Sequence, residues 1–117
     1  MQIISPSILA ANIINLQDEL KELNQSPETW LHLDIMDGHF VPNLTFGFPI
    51  VKKIAEQSPM PLDAHLMVTN PEFQLKQLQE LGIHNITFHY EAVDDPKKMV
   101  HMAKDLGYPS VGLSINP

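Results

Sequence analysis

Residues His32–Asn43 read HLDIMDGHFVPN and follow directly on Trp30 and Leu31. A β-strand sends successive side chains to opposite faces. Trp30, His32, Asp34 and Met36 therefore share one face, while Leu31, Leu33 and Ile35 share the other. The aliphatic face suits packing against a helix. The other carries imidazole, carboxylate and thioether groups.

Outward from this stretch, strand-like runs recur near Gln2 to Ile4, Thr29 to Met36, Leu62 to Val68, Asn85 to Tyr90 and Ser110 to Ile115, with helical signals between them. NPEFQLKQLQELG has Asn70 as N-cap, Pro71 at the first helical position, Phe73, Leu75, Leu78 and Leu81 as an apolar stripe, and Gly82 beyond the end. DDPKKMVHMAKDLG repeats this with Asp95, Pro96, the apolar Met99, Val100, Ala103 and Leu106, and then Gly107. NIINLQDELKEL and GFPIVKKIAEQ fill the first two intervals with weaker signals. The order β-α-β-α-β-α-β-α-β predicts a parallel sheet covered by helices, because parallel neighbours need a crossover connection.

Alternation of this kind serves both an open doubly wound sheet and a barrel. The polar groups favour the barrel. Ser5, Ser7, His32, Asp34, Asp63, His65, Thr87, His89 and Glu91 lie within or at the ends of strands, whereas strands of a doubly wound sheet are apolar on both faces. A (β/α)8 barrel builds its active site from polar residues at the C-terminal ends of its strands, but it needs eight strands and roughly 200 residues or more. The expectation is an α/β chain forming one domain over residues 1–117, a partial barrel of about five strands and four helices. Its unpaired strand edges and open inner face invite association, so a partner that completes the enclosure, or a truncated chain, is expected.

Composition narrows the function. Seven basic against fourteen acidic residues give a net charge of −7, which repels nucleic acid and anionic membranes. The chain has no cysteine, so disulfides, cysteine zinc sites and thiol nucleophiles are excluded. MQIISPSILAANIINL lacks a basic leader and is interrupted by Ser, Pro and Asn, and no run approaches a membrane span. A soluble, cytoplasmic protein is expected.

His32 and Asp34 are two apart on one strand, and Asp63, His65 and Met67 share a face of the next. On neighbouring strands about 4.8 Å apart, His32, Asp34 and His65 can converge on one divalent ion, and two imidazoles with a carboxylate suit Zn²⁺, Fe²⁺, Mn²⁺ or Co²⁺ better than Mg²⁺ or Ca²⁺. Spacing alone equally allows buried histidines hydrogen-bonded to neighbours. Asp34 beside a metal can also move a proton; as a buried acid it can simply pair with a histidine. Met36 and Met67 can floor a pocket or merely pack. His89 and Glu91 read as supporting groups or structure, and Asp37, Gly38 and His39 as a turn. Ser7 can donate to a substrate oxygen or stabilise its turn.

The motifs SPSILAAN, HLDIMDGHFVPNLTFG, DAHLMV, ITFHYEA and GLSINP occur in the order and spacing of the ribulose-phosphate 3-epimerase family, which the chain resembles from near residue 3 to residue 117. The resemblance implies a (β/α)8 barrel that interconverts D-ribulose 5-phosphate and D-xylulose 5-phosphate with one divalent metal. It implies that His32, Asp34 and His65 are metal ligands, that Asp34 is also one of two acid/base aspartates, that Ser7 and His65 touch substrate, and that Met36 and Met67 line the reacting centre. The family takes its second aspartate and its phosphate-binding loops from the second half of the barrel. These expectations leave room for a homo-oligomer or a complementing C-terminal half as partner, for a catalytically silent half-barrel used in binding or assembly, and for a hexulose-phosphate 3-epimerase.

Overall fold

A computed structural model describes residues 2–117. Its framework is a four-stranded parallel sheet of β1 (Leu31–Met36), β2 (Leu62–Met67), β3 (Asn85–His89) and β4 (Ser110–Ser114), in spatial order 1-2-3-4. Helices α1 (Leu16–Leu23), α2 (Phe48–Gln57), α3 (Pro71–Leu78) and α4 (Pro96–Asp105) alternate with the strands. Sequential strand order with helical crossovers is a partial (β/α)8 barrel, as expected.

The fifth expected strand, near Gln2 to Ile4, does not join the sheet as a continuous element. It is replaced by two isolated parallel bridges to the β1 segment, Ile4 with Thr29 and Ser7 with His32. The hydrogen bonds give the reason. Ile4 N–H donates to Glu28 O, Trp30 N–H to Ile4 O and His32 N–H to Pro6 O. The next rung of a parallel ladder would use the N–H of residue 6, and proline has none. The segment therefore lies beside β1 with its ladder cut at Pro6, and still delivers Ser5 and Ser7 to the edge of the polar face.

Burial follows the alternation read from sequence. Leu31, Leu33, Ile35, Leu62, Ala64, Leu66, Ile86 and Phe88 are buried on the helix-covered face, against Val51 and Ile54 of α2, Leu75 and Leu78 of α3 and Ala103 of α4. The two strongest helix starts are as predicted: Asn70 Oδ1 accepts from Phe73 N–H at 3.3 Å, Asp95 Oδ1 accepts from Lys98 N–H at 3.0 Å, and Pro71 and Pro96 occupy the first helical positions. Gly82 and Gly107 follow in the left-handed region, at φ 72° and 99°, where a Cβ is costly. Phe73 departs from the expected stripe and is exposed. It precedes Leu75 by two residues, about 200° around an α-helix, so it faces away when Leu75 and Leu78 face the sheet.

Candidate metal centre

The opposite face is polar in registered rows. His32 pairs with Asp63, Asp34 with His65 and Met36 with Met67; Asp63 then pairs with Asn85 and His65 with Thr87, and Asn85 with Ser110. Three of the expected site residues converge here. Asp34 Oδ1 lies 3.1 Å from His32 Nε2 and 3.6 Å from His65 Nδ1, and one donor atom from each of the three residues falls within a mutual 4.8 Å. Donors of a tetrahedral ion with bonds of about 2.0–2.1 Å sit about 3.3 Å apart. The spread brackets that value, and two imidazoles with one carboxylate form a donor set suited to a borderline divalent cation.

His32 is held from behind. Its Nδ1 is 2.8 Å from Asp63 Oδ2, so Nε2 is the nitrogen turned toward Asp34. Asp63 also accepts from Ser5 Oγ at 3.0 Å and from Asn85 Nδ2 at 2.7 Å, and Ser110 Oγ donates to Asn85 Oδ1 at 2.7 Å. Burial pushes the Asp63 carboxyl up, but the hydrogen bonds from His32, Asn85 and Ser5 hold it below its ordinary value. The hydrogen bond to Asp63 raises His32; burial opposes, and the Asp34 charge adds to the rise. Beyond this row, Gly112 of β4 faces Thr87, and a Cβ at 112 would collide with Thr87 Oγ1.

His65 has the opposite setting. Burial lowers its pKa, the neighbouring His89 lowers it further, and Asp34 only partly opposes. Its Nε2 is 2.8 Å from Nε2 of His89, which is 6% exposed and ends β3. Asp34 is fixed from two directions: Ser7 Oγ donates to its Oδ2, and Thr45 Oγ1 donates to its backbone carbonyl at 2.7 Å while accepting from Met36 N–H at 3.0 Å. Met36 and Met67 sit side by side one row above the cluster. At the rim, Asp37 ties the loop after β1 to the loop after β2, accepting from Thr69 N–H at 2.7 Å, Thr69 Oγ1 at 3.0 Å, and the N–H groups of His39 and Phe40, both at 2.9 Å. Burial opposes, yet these bonds hold the Asp37 carboxyl well below the usual range.

The structure thus brings every expected site residue, Ser7, His32, Asp34, Met36, His65 and Met67, to one face. Sequence reasoning places Asp63 only on a shared face with His65 and Met67; the structure makes it the acceptor behind His32. Thr45 went unnoticed. Its signal, a threonine in the loop following the polar strand, is too common to single out.

Comparison with known proteins places these residues in context. The model of the "Ribulose-phosphate 3 epimerase family" matches residues 3–117. A protein of Mycobacterium leprae named ribulose-phosphate 3-epimerase is 43% identical over 115 residues, covering 98% of this chain and 50% of that protein. The Mycobacterium bovis protein of the same name is 44% identical over 117 residues, covering 98% and 49%. A rice protein named as the cytoplasmic isoform is 39% identical over 115 residues, covering 97% and 50%. The chain spans about half the length of the curated relatives it matches. A glycerophosphodiester phosphodiesterase of Parabacteroides distasonis superposes with a TM-score of 0.28 at 15% identity, covering 84% of this chain and 58% of that one, too slight a likeness to argue from.

Proposed function

The chain belongs to the ribulose-phosphate 3-epimerase family, and from that premise we propose that residues 1–117 are one domain, the N-terminal wall of a barrel that epimerises D-ribulose 5-phosphate and D-xylulose 5-phosphate at C3. The observation that carries this is the convergence of His32, Asp34 and His65 on one polar face. A divalent ion held by these three residues, Zn²⁺, Fe²⁺, Mn²⁺ or Co²⁺, would act as a Lewis acid toward negative charge developing on the sugar oxygens. Inverting C3 requires removing the proton next to the C2 carbonyl and returning one to the opposite face of a planar enediolate. Asp34 is the base for one face. Ser7, now donating to Asp34 Oδ2, is placed to exchange that bond for one to a substrate oxygen. Met36 and Met67 offer the flat carbon skeleton a surface without exchangeable protons and keep water from it.

In this reading the second acid/base aspartate and the phosphate loops belong to the barrel's second half. They are supplied by a complementing C-terminal half or by a second subunit of a homo-oligomer. The substrate is a ketose phosphate and the setting cytoplasmic, in keeping with the rice relative's name. Among the described residues no helix is long and apolar enough to cross a membrane.

Incubating the metal-loaded 117-residue protein with ribulose 5-phosphate in D₂O tests the reading. One base on one wall predicts deuterium uptake at C3 without xylulose 5-phosphate, and Asp34→Asn reduces that uptake by about 10²–10⁴-fold. Full turnover by the isolated chain would show that the account of the second base is wrong. Undiminished exchange in the Asn variant would remove Asp34 from the acid/base role.

A further inference from the structure

The N-terminal segment leaves the edge of β1 open at its far end, and one side chain closes it. Trp30 and His32 turn their N–H groups to that segment, donating to Ile4 O and Pro6 O. By the period of two, the Asp34 carbonyl and the Met36 N–H open on the same edge. Among the described residues no strand meets them there. Past Ser7 the segment turns into the short 3-10 helix Ile8–Ala10, and the Ser7 and Ile8 carbonyls accept from Ala10 and Ala11 instead. In a parallel ladder, one residue of the neighbouring strand would donate to Asp34 O and accept from Met36 N–H. The Thr45 hydroxyl makes both bonds, donating to Asp34 O at 2.7 Å and accepting from Met36 N–H at 3.0 Å. A hydroxyl does this through a single atom.

A closed hook delivers that hydroxyl. The chain leaves β1 at Met36 and returns at Thr45, whose own N–H donates to Met36 O at 3.3 Å, and Gly38 N–H donates to Asn43 O at 3.0 Å. Asp37 bridges Leu44 antiparallel. Its Oδ1 accepts from the N–H groups of His39 and Phe40 and its Oδ2 from Thr69, so the hook is tied both to itself and to the end of β2. On the other side of Thr45, Phe46 is buried in the core. We propose that Thr45 is a positioning residue for Asp34, standing in for a strand residue and fixing the backbone from which the base projects. This rests on the acid/base reading of Asp34 above. In that reading the Ser7 bond to Asp34 Oδ2 is given up to substrate, so a hold on the backbone, for which substrate does not compete, keeps the carboxylate aimed while the proton moves. A misplacement of about 1 Å, caused by a change away from the reacting atoms, can cost about 10²-fold in rate.

Thr45→Val keeps the shape and removes both bonds, whereas Thr45→Ser keeps the hydroxyl. In C3 deuterium exchange of ribulose 5-phosphate by the metal-loaded chain, Thr45→Val should lower kcat by about 10–100-fold with KM within about twofold, and Thr45→Ser should stay within about threefold of the unmodified chain. A folded Val variant with unchanged kcat overturns the proposal, and so does an equal loss in the Val and Ser variants. Should Thr45→Val fail to fold, Asp37→Asn carries this arm: an amide against Thr69 loosens the hook, and kcat should fall about three- to tenfold at unchanged KM. An unchanged kcat there overturns the proposal. Amide hydrogen exchange in metal-free protein gives the second readout. The Met36 N–H should exchange about tenfold or more faster in Thr45→Val and at the original rate in Thr45→Ser, while the Ile35 N–H, which faces β2, keeps its rate in both. An unchanged Met36 rate in the Val variant also overturns the proposal. A chain with its native sequence that shows no C3 exchange refutes the acid/base reading instead, and the Met36 amide still decides whether Thr45 holds this end of β1.

Discussion

His32 and His65 face the same carboxylate from adjacent strands, with ring centroids 5.9 Å apart, and by spacing alone they are equivalent. Their surroundings make them opposites. Behind His32 stands Asp63, which favours the imidazolium; behind His65 stand burial and a second imidazole, which disfavour it. In the metal-free protein the β1 ring is the one inclined to hold a second proton, and the β2 ring the one inclined to hold a free lone pair. Under the proposed metal reading, a cation would compete with a proton more strongly at the first ring than at the second. What stands one atom behind a ring decides its chemistry as much as what stands before it.

The comparison breaks most severely at Asp63. Asp63→Ala leaves His32 Nδ1, Ser5 Oγ and Asn85 Nδ2 without their common acceptor, and unpaired polar groups of this kind should destabilise the chain by roughly 2–4 kcal/mol. Urea denaturation checks it. A loss below about 0.5 kcal/mol, the range of ordinary surface changes, would mean that Asp63 does not hold the row together. Asp63→Asn tests the electrostatic half with less disruption: the His32 midpoint should fall toward 6.5, its ordinary value, while that of His65 moves little.

A gentler experiment sharpens the contrast without mutation. In an NMR titration of metal-free protein, His32 should titrate above 6.5 and His65 below it. Coincident midpoints would erase the asymmetry.

Much of this molecule was legible because it is local. Alternation in LHLDIM and LDAHLM marks two faces irrespective of partners, and Asn70–Pro71 and Asp95–Pro96 mark helix starts through their own backbone. The first strand was overcounted because an apolar run reads as a strand until the donor missing at Pro6 is placed against a particular acceptor. His32, Asp34 and His65 were legible as a cluster through strand spacing, while the roles proposed for them rest on the resemblance carried by the motif. The groups behind them were not. Asp63 becomes the acceptor for His32 only once the register sets 32 opposite 63, and Glu91 accepts from the backbone of Asn116, 25 residues away. Register and long-range contact are set by the whole fold, so no local window contains them.

The smallest effect is also the most discriminating, because the two histidines pull stability in opposite directions with pH. His32 has its pKa raised on folding, so its contribution is fully present below 6.5, the unfolded value, and is lost as pH rises through the folded midpoint. His65 has its pKa lowered, so the unfolded chain takes up that proton first and stability falls as pH drops below 6.5. A single site can impose at most about 1.4 kcal/mol per pH unit, and here two such slopes oppose each other. Unfolding free energies of the metal-free protein should therefore rise as pH falls from 8 toward 6.5 and fall again toward 5.5, the second change offsetting the first. Taking away one ring should unmask the other: His32→Gln leaves stability falling as the solution is acidified, and His65→Gln leaves it rising. If both variants tilt the same way, the two rings share one environment, and the distinction between the acid-backed and imidazole-backed walls of the site is lost.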